Sequence, residues 1–294
     1  MSRPLRLATR GSPLALAQAS AVAARLAALG QGCETVVVET EGDRRRDVPL
    51  ETLAGRGVFT KEVQAAVLDG RADVAVHSAK DLPAVTPPGL VLAAVPERVD
   101  PADALVGRAL GVLGPGATVA TGAPRRRALL LAARPDLDVV GLRGNVATRL
   151  ARVGTDGVEA VVVAVAALVR LGLTDQIAER LDPAQFVPQV GQGAIALECA
   201  EGSDGEHVVR SIDDVAAHGA LRAERSFLAA LGADCDTPCG ALAVLEDEEV
   251  VVAGVLLGED GETVVRDVVR VADATRAGAA LADRLRVALD AARP

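Results

Sequence analysis

Short valine-rich segments alternate with amphipathic helical segments over the first two-thirds of this 294-residue sequence. Strands that alternate with helical crossovers usually pair in parallel, so the alternation predicts an α/β fold with mostly parallel sheets. The first helix is predicted to begin at Gly11-Ser12-Pro13, with Ser12 as the N-cap and Pro13 at the first helical position. No other feature of the sequence restricts the possible architectures as strongly.

Two links divide this pattern into two similar lobes: the turn-rich Pro96–Pro101, and Val187–Gly193, which is rich in glycine and proline. Two crossings between similar α/β lobes are typical of a hinged binding cleft. After about Ala216 the pattern changes to a helix, a loop, an antiparallel strand pair and a long terminal helix. The sequence therefore predicts two hinged, periplasmic-binding-protein-like lobes with a double crossover, plus a smaller C-terminal α+β domain. The predicted domains are residues 1–96 with 194–213, residues 97–193, and residues 214–294.

The segment Asp73–Pro83 is the first candidate for a functional site. An apolar run ends directly in His77, Ser78, Lys80 and Asp81, and ligands of open α/β sheets bind at the carboxyl ends of the strands. Lys80 is one of only two lysines among 31 basic residues, and an ammonium is a compact charge whose pKa shifts readily. The alternatives are that Asp81 only caps the following turn and that His77 is a satisfied histidine at a strand end.

Arginines recur where predicted strands lead into helices. The junctions carry Arg10, then Arg125 and Arg126, then Arg143 and Arg149. Because a helix N-terminus already favours anions, an arginine there costs stability unless an anion neutralises both. The repetition predicts a cleft for a ligand with several carboxylates or phosphates. The alternative is chance placement in an arginine-rich chain.

Composition excludes several classes of partner. A net charge of −9 opposes nucleic-acid binding, and three phenylalanines without tryptophan or tyrosine provide no stacking platform for single strands. We expect no membrane span, because no long uncharged apolar run occurs, and a cytoplasmic location, because the N-terminus is charged where a signal peptide is apolar. Three scattered histidines predict no zinc site. No exposed aromatic or leucine stripe requires a partner, so a monomer is expected.

The cysteines are too few and too scattered for a disulfide framework. Cys235 and Cys239 lie in a turn-rich loop, where a thiol serves as a nucleophile, as an attachment point or only as structure. The flanking Asp234 and Asp236 should raise the pKa of the Cys235 thiol, which argues against a free thiolate but not against a covalently occupied sulfur.

Several separate motifs, in the same order along the chain, resemble the porphobilinogen deaminase family, also called the hydroxymethylbilane synthases. The motifs are Ala8–Gln18, Gly42-Asp43 with Asp47–Leu50, Val76–Pro83, Glu97–Asp103, Leu142–Arg149 and Val190–Ala194. The resemblance runs from about Leu5 to Gly240. It implies a cytoplasmic transferase of porphyrin and haem biosynthesis. Such an enzyme joins four porphobilinogen units head to tail on a cysteine-linked dipyrromethane primer, releases ammonia at each step, and frees the linear hydroxymethylbilane with water.

The resemblance also implies a role for particular residues. Asp81 corresponds to the catalytic aspartate, and Cys235 to the cysteine that carries the dipyrromethane cofactor. The implied cofactor-binding residues are Cys235, Asp81, Lys80, Ser78, Arg125, Arg126 and Arg143. The implied substrate-binding residues are Arg10, Ser12, Arg149, Arg170, Arg56, Phe59 and Gln192.

Three departures from the family pattern affect how the cofactor is held. Arg56 stands where many relatives have lysine, Thr121–Pro124 lacks two hydroxyls of a Thr-Ser-Ser pattern, and Ala233-Asp234 replaces small glycines. Because the catalytic acid, the cysteine and the arginines remain, an active enzyme is expected. The alternatives are a non-catalytic two-lobed receptor for a small polycarboxylate, and a phosphoribosyl-type transferase, for which no pyrophosphate loop is found.

Overall fold

The computed structural model describes residues 3–40, 59–232, 238–247, 249–258 and 263–292. The chain forms two compact units, Met1–Val99 with Ala194–His218, and Asp100–Gly193 with Gly219–Pro294. The strands are β1 Leu5–Arg10, β2 Cys33–Val38, β3 Val74–Ser78, β4 Leu90–Ala94, β5 Asp103–Val106, β6 Thr118–Ala120, β7 Asp138–Val140, β8 Val158–Ala164, β9 Ile177–Arg180, β10 Ile195–Ala200, β11 Cys239–Glu246, β12 Glu249–Leu257 and β13 Val264–Val271. The helices are α1 Pro13–Ala28, α2 Lys61–Leu68, α3 Pro124–Ala133, α4 Val146–Leu150, α5 Val165–Arg170, α6 Asp204–Val209, α7 Val215–Leu231 and α8 Ala274–Ala291.

The first unit contains a five-stranded sheet in the order β2-β1-β3-β10-β4. Strand β1 pairs in parallel with β2 and β3, whereas β10 runs antiparallel to β3 and β4. Because β10 enters this sheet only after the chain has built the second unit, the sheet contains the return of a crossover. The carboxyl ends of β1 and β3 lie at the same edge, where the candidate residues follow them.

Helices cover both faces of this sheet. Successive side chains of a strand point to opposite faces, so Leu7 of β1 packs with Leu26 of α1, whereas Ala8 packs with Val63 of α2. The predicted start of α1 is confirmed, because the Ser12 side chain accepts a hydrogen bond from the Ala15 amide and the helix begins at the next residue. Leu26 is completely buried, which stabilises the fold by about 2 kcal/mol relative to an exposed position.

The second unit repeats the arrangement in a sheet of order β7-β6-β8-β5-β9. Strand β6 is parallel to β7 and β8, and β5 is antiparallel to β8 and β9. The α/β class with two crossovers between similar sheets, predicted from the sequence, is confirmed.

The C-terminal part of the second unit is an antiparallel sheet, β11-β12-β13, packed on α8. The packing is tight, because a Cβ on Gly254 would lie 2.6 Å from Leu281 Cδ2. Val255 and Leu257 also belong to the core around Leu129 of α3. The smaller C-terminal α+β portion is confirmed, but the predicted loop before β12 is in part a third strand, β11. The division of the whole chain into three domains remains a prediction.

Within the described residues, no helix combines the length and the apolar character that a bilayer crossing requires.

Candidate active site

A pocket in the first unit lies at the carboxyl ends of β1 and β3. It encloses about 380 Å³, part of which is open to solvent. Five residues proposed from the sequence line it, namely Arg10, Ser12, Phe59, Ser78 and Asp81. The fold therefore brings together a cation, an acid, two hydroxyl groups and an aromatic ring from three separate segments of the first unit.

Arg10 is the last residue of β1, and its guanidinium lies over the ring of Phe59, with 4.1 Å from Arg10 Cζ to the ring centroid. Such a cation–π contact contributes about 0.5–1 kcal/mol at an exposed site. The Ser12 Oγ accepts a hydrogen bond of 3.3 Å from the Ala15 amide, and its own O–H hydrogen can still donate to a ligand. Arg10 and Ser12 thus present a charge and a donor to the same pocket.

Asp81 ends a single 3₁₀ turn, Ala79–Asp81, that directly follows β3. The turn is closed by backbone bonds, because the Leu82 amide donates to the Ala79 carbonyl over 3.2 Å and the Ala79 amide donates to the Ala194 carbonyl over 3.1 Å. Lys80 and Asp81 are both half-buried. The backbone therefore fixes the position from which the Asp81 carboxylate faces the pocket.

Gln18 of α1 supports this edge on one face of the sheet. Its Nε2 donates to Ser78 Oγ over 2.7 Å, and Ser78 Oγ donates to Gln18 Oε1 over 3.1 Å. Gln18 is buried and lines the pocket, yet the sequence analysis assigned it no role. The available signal was a polar residue on the buried stripe of α1, next to Ala15, Ala19 and Val22.

Three buried polar side chains, His77, Glu198 and Gln64, support this edge on the other face of the sheet. His77 lines the pocket, and its Nε2 lies 3.3 Å from Glu198 Oε2, within ion-pair distance but without hydrogen-bond alignment. Gln64 of α2 donates from Nε2 to the same Glu198 oxygen over 2.7 Å. Glu198 belongs to β10, so the returning crossover strand contributes a carboxylate behind the pocket wall.

The second unit buries the predicted pair Arg125 and Arg126 at the start of α3. Their Nη2 atoms donate to the two oxygens of Asp103, over 2.8 Å and 2.7 Å respectively. Gln192 is also fully buried and donates from Nε2 to Asp103 Oδ1 over 2.7 Å. An internal carboxylate thus neutralises one of the two charges at this helix start, a contribution that the sequence analysis did not anticipate.

The other predicted arginines of the second unit lie nearer the surface. Arg143 is exposed, and the half-buried Arg149 donates from Nε to the Gly144 carbonyl over 2.8 Å. Arg170, at the C-terminal end of α5, donates from Nη2 to the Gly193 carbonyl over 2.8 Å. These bonds fix the orientation of Arg149 and Arg170.

Cys235 and Arg56 lie outside the described residues. Cys239 begins β11, is buried, and has a thiol pKa raised to about 12 by burial. A thiol of this kind stays protonated and unreactive. Of the two cysteines in the predicted loop, Cys239 is thus suited to structure rather than to attachment.

The pocket and the arginine pair define the class of the protein. An acid, a cation and hydroxyl donors at the carboxyl ends of parallel strands are typical of α/β proteins with a pocket suited to a small anionic molecule and to acid–base chemistry.

Comparison with known proteins identifies the family. The family model described as "Porphobilinogen deaminase, dipyromethane cofactor binding domain" matches residues 5–207, and "Porphobilinogen deaminase, C-terminal domain" matches residues 219–286. A porphobilinogen deaminase of Syntrophotalea carbinolica is 43% identical and covers 97% of this chain and 93% of its own length. One of Roseiflexus sp. is 45% identical and covers 97% and 96%. The chain belongs to the porphobilinogen deaminase family.

Solved structures of substrate-binding proteins can be superposed on part of the chain. The methionine-binding protein MetQ is 11% identical with a TM-score of 0.44, covering 71% of this chain and 89% of its own. A periplasmic substrate-binding protein of Coxiella burnetii is 16% identical with a TM-score of 0.42, covering 71% and 91%. Because these identities and TM-scores are low, the assignment of two lobes rests on the topology of the two five-stranded sheets.

Proposed function

We propose that this chain is a hydroxymethylbilane synthase, a transferase of porphyrin biosynthesis. It condenses four porphobilinogen units head to tail on a dipyrromethane primer, releases ammonia at each step, and frees the linear tetrapyrrole with water. The single observation that supports this most strongly is the pocket of the first unit, where Arg10, Ser12, Ser78 and Asp81 meet in a chain of this family. A receptor for a polycarboxylate is not favoured, because it has no use for a positioned acid.

Asp81 is the proposed catalytic residue. When the aminomethyl C–N bond of porphobilinogen breaks, nitrogen leaves as ammonia and the remaining methylene becomes strongly electron-poor. A carboxylate beside it stabilises the positive charge, and after the new C–C bond forms it accepts the proton lost from the attacking ring carbon. Lys80 balances charge around this carboxylate.

The substrate carries one acetate and one propionate, which the proposed binding residues neutralise. Arg10 pairs with a carboxylate, Ser12 donates to it, and the Phe59 ring holds the guanidinium in place. The further proposed substrate-binding residues are Arg56, Arg149, Arg170 and Gln192. The burial of Gln192 leads to a different assignment below.

The residues of the second unit fit a dipyrromethane cofactor. Arg125 and Arg126 share one carboxylate, which leaves an excess of one positive charge, and the buried Arg126 Nε finds no acceptor among the described residues. A cofactor carboxylate supplies both the missing charge and the missing acceptor. Its proposed ligands are Arg125, Arg126 and Arg143 in the second unit, Ser78, Lys80 and Asp81 in the first, and Cys235 through a covalent bond. When bound, the cofactor supplies the pyrrole to which the first substrate unit is joined.

The mass of the intact purified chain tests this function. We expect an excess equal to two pyrrole units, absent from Cys235→Ala and present in the matched variant Cys239→Ala. A chain that has its bare mass and binds a removable anion would instead indicate a receptor. Ammonia release on addition of porphobilinogen is the accompanying activity assay.

We also propose a cytoplasmic monomer of three domains, in which the α/β lobe of residues 1–96 and 194–213 carries the catalytic acid. The lobe of residues 97–193 carries the paired arginines, and residues 214–294 carry the cysteine loop. The acidic net charge of −9 favours a small-molecule substrate over nucleic acid. Light scattering of the purified chain checks the oligomeric state, and a mass of twice 29.9 kDa would contradict a monomer.

A further inference from the structure

Asp103, the first residue of β5, is buried at the centre of a polar cluster in the second unit. It is 1% exposed, and its two carboxylate oxygens receive three hydrogen bonds. Oδ2 accepts from Arg125 Nη2, and Oδ1 accepts from both Arg126 Nη2 and Gln192 Nε2. Asp103 ends the motif Glu97–Asp103 but is not among the site residues predicted from the sequence, yet every bond holds one of the proposed ligand-binding residues.

Among the residues that the structure describes, the cluster has more positive than negative charge. Two buried guanidiniums face one carboxylate, and an unbalanced buried charge costs several kcal/mol. Burial alone would raise the pKa of Asp103, but Arg126 and Arg125 hold it far below its ordinary value, so the carboxylate stays ionised. Burial also lowers the pKa of Arg125, against the attraction of Asp103. The aspartate therefore stabilises the pair without cancelling its charge.

Backbone carbonyls fix the far side of each guanidinium. Arg125 Nη1 donates to the Val187 carbonyl over 2.5 Å, and Arg126 Nη1 donates to the Val162 carbonyl over 3.1 Å. Each planar group is thus held between Asp103 and a carbonyl, which a lysine ammonium could not reproduce. Both arginines consequently have a single orientation.

Gln192 completes the cluster from the link that follows β9. Its Nε2 also donates to the Pro101 carbonyl over 2.8 Å, and its Oε1 accepts from Arg126 Nη2 over 3.3 Å. The side chain is completely buried, and all these bonds lie within the cluster. Gln192 is therefore placed to hold Arg126 in position rather than to contact a ligand.

The cluster lies against the start of β11, which the cysteine loop precedes in the sequence. A Cβ on Gly240 would lie 2.9 Å from Arg125 Cδ and 2.5 Å from the Pro188 carbonyl oxygen. The stem of Arg125 is therefore packed directly against this strand. Asp103 thereby fixes an arginine that contacts the strand following the proposed attachment loop.

We propose that Asp103 and Gln192 are positioning residues, which hold Arg125 and Arg126 so that their uncompensated charge binds a carboxylate of the pyrrole ligand. They do not contact that ligand themselves. This inference rests on the proposed function, and it assigns Gln192 a role other than direct substrate binding.

The test compares Asp103→Asn with Asp136→Asn in the full chain. Asp136 forms a comparable ion pair of 2.7 Å with Arg134, but that pair is partly exposed. The readouts are the fraction of chain with the two-pyrrole mass excess, KM and kcat, and thermal unfolding. Asp103→Asn should reduce the adduct fraction at least threefold or raise KM at least tenfold, whereas Asp136→Asn should stay within twofold. In a background with both Arg125→Gln and Arg126→Gln, which removes the two guanidiniums that Asp103 holds, Asp103→Asn should add less than twofold to the rise in KM.

Three results decide the question. A folded Asp103→Asn chain with normal adduct fraction and KM overturns the proposal, and so does a full additional effect on KM in the background that lacks both arginines. If Asp103→Asn does not fold, Asp103→Glu and Arg126→Lys take its place. Asp103→Glu keeps the charge and should recover part of the adduct, whereas Arg126→Lys should lose at least threefold. A normal adduct fraction and KM in Arg126→Lys overturns the proposal. An unaltered chain without the adduct instead refutes the function itself.

Discussion

Ser12 has two roles that substitutions can separate, because the same side chain caps α1 and lines the pocket. Ser12→Ala removes the cap, Ser12→Asn keeps a capping oxygen without charge, and Ser12→Asp keeps the cap and adds a negative charge. The three variants therefore distinguish helix stability from anion binding at one position.

The structure gives the size of each effect. The bond from the Ala15 amide to Ser12 Oγ is 3.3 Å long, so its loss in Ser12→Ala should cost the low end of the usual range, about 0.5–1 kcal/mol. In Ser12→Asp the cap remains, but the new carboxylate faces a carboxylate of the substrate. Two like charges about 4 Å apart repel by about 1 kcal/mol in water and about 4 kcal/mol at a protein surface, which raises KM about fivefold to a thousandfold.

Hydrogen exchange at the Ala15 amide and steady-state ammonia release are the two assays. Ser12→Ala should exchange about two- to fivefold faster and should also raise KM, because the donor to the substrate carboxylate is lost. Ser12→Asp should exchange normally and still raise KM. Ser12→Asn, the matched control, should change neither greatly. A normal KM in Ser12→Asp would refute the reasoning that Arg10 and Ser12 bind a substrate carboxylate.

Three further outcomes are expected. Asp81→Asn should keep the mass adduct but lower kcat at least about a hundredfold, and near-normal ammonia release would contradict its assigned role. Gly278→Ala should lower the urea midpoint despite a gain in helix propensity of about 1 kcal/mol, because its Cβ would lie 2.1 Å from the Ala223 carbonyl oxygen, whereas Gly111→Ala, with nothing within 4 Å, should be nearly neutral. Burial raises the pKa of Asp73, but hydrogen bonds from Arg6 and Arg3 hold it well below its ordinary value. Its stabilisation is thus present above about pH 4 and lost as the pH falls, and the stability difference between Asp73→Asn and the unaltered chain in urea should shrink between pH 6 and pH 3.

The order of parallel strands and helices could be predicted from the sequence because each leaves a local pattern. β1, β3, β6 and β8 are short apolar runs, and Ser12 with Pro13 marks the start of α1. These signals depend only on neighbouring residues, so no tertiary information was needed.

Most of the strands that the sequence did not predict depend on distant partners. β11 is the exception: it begins Cys-Gly-Ala-Leu-Ala, a segment of low strand propensity, and it is a strand because β12, the next strand along the chain, pairs with it along its whole length. β4, β5 and β9 are short, and each pairs with an antiparallel neighbour that lies far away in the sequence. A single sequence carries no signal for such pairings.

The residues of the candidate site likewise divide into those that the sequence predicts and those that it does not. Asp81, Ser78, Arg10 and Ser12 follow strands directly, so their convergence at one sheet edge could be predicted. The supporting groups could not, because Asp103 and Glu198 act on residues 22 and 134 positions away, respectively. For Glu198 the local sign is an acid inside an apolar run, and for Asp103 it is only the position at the end of the motif Glu97–Asp103.

The departure at Gly122 has a steric cause. A Cβ at this position would lie 2.2 Å from the carbonyl oxygen of Leu142, so the approach of the segment after β7 leaves no room for a serine. The neighbouring Ala123 is the N-cap of α3 and provides no side-chain cap, but its amide donates to Thr121 Oγ1 over 3.3 Å. The hydroxyl that is missing at position 122 therefore reflects local packing. The structure gives no explanation for the hydroxyl that is missing at position 123.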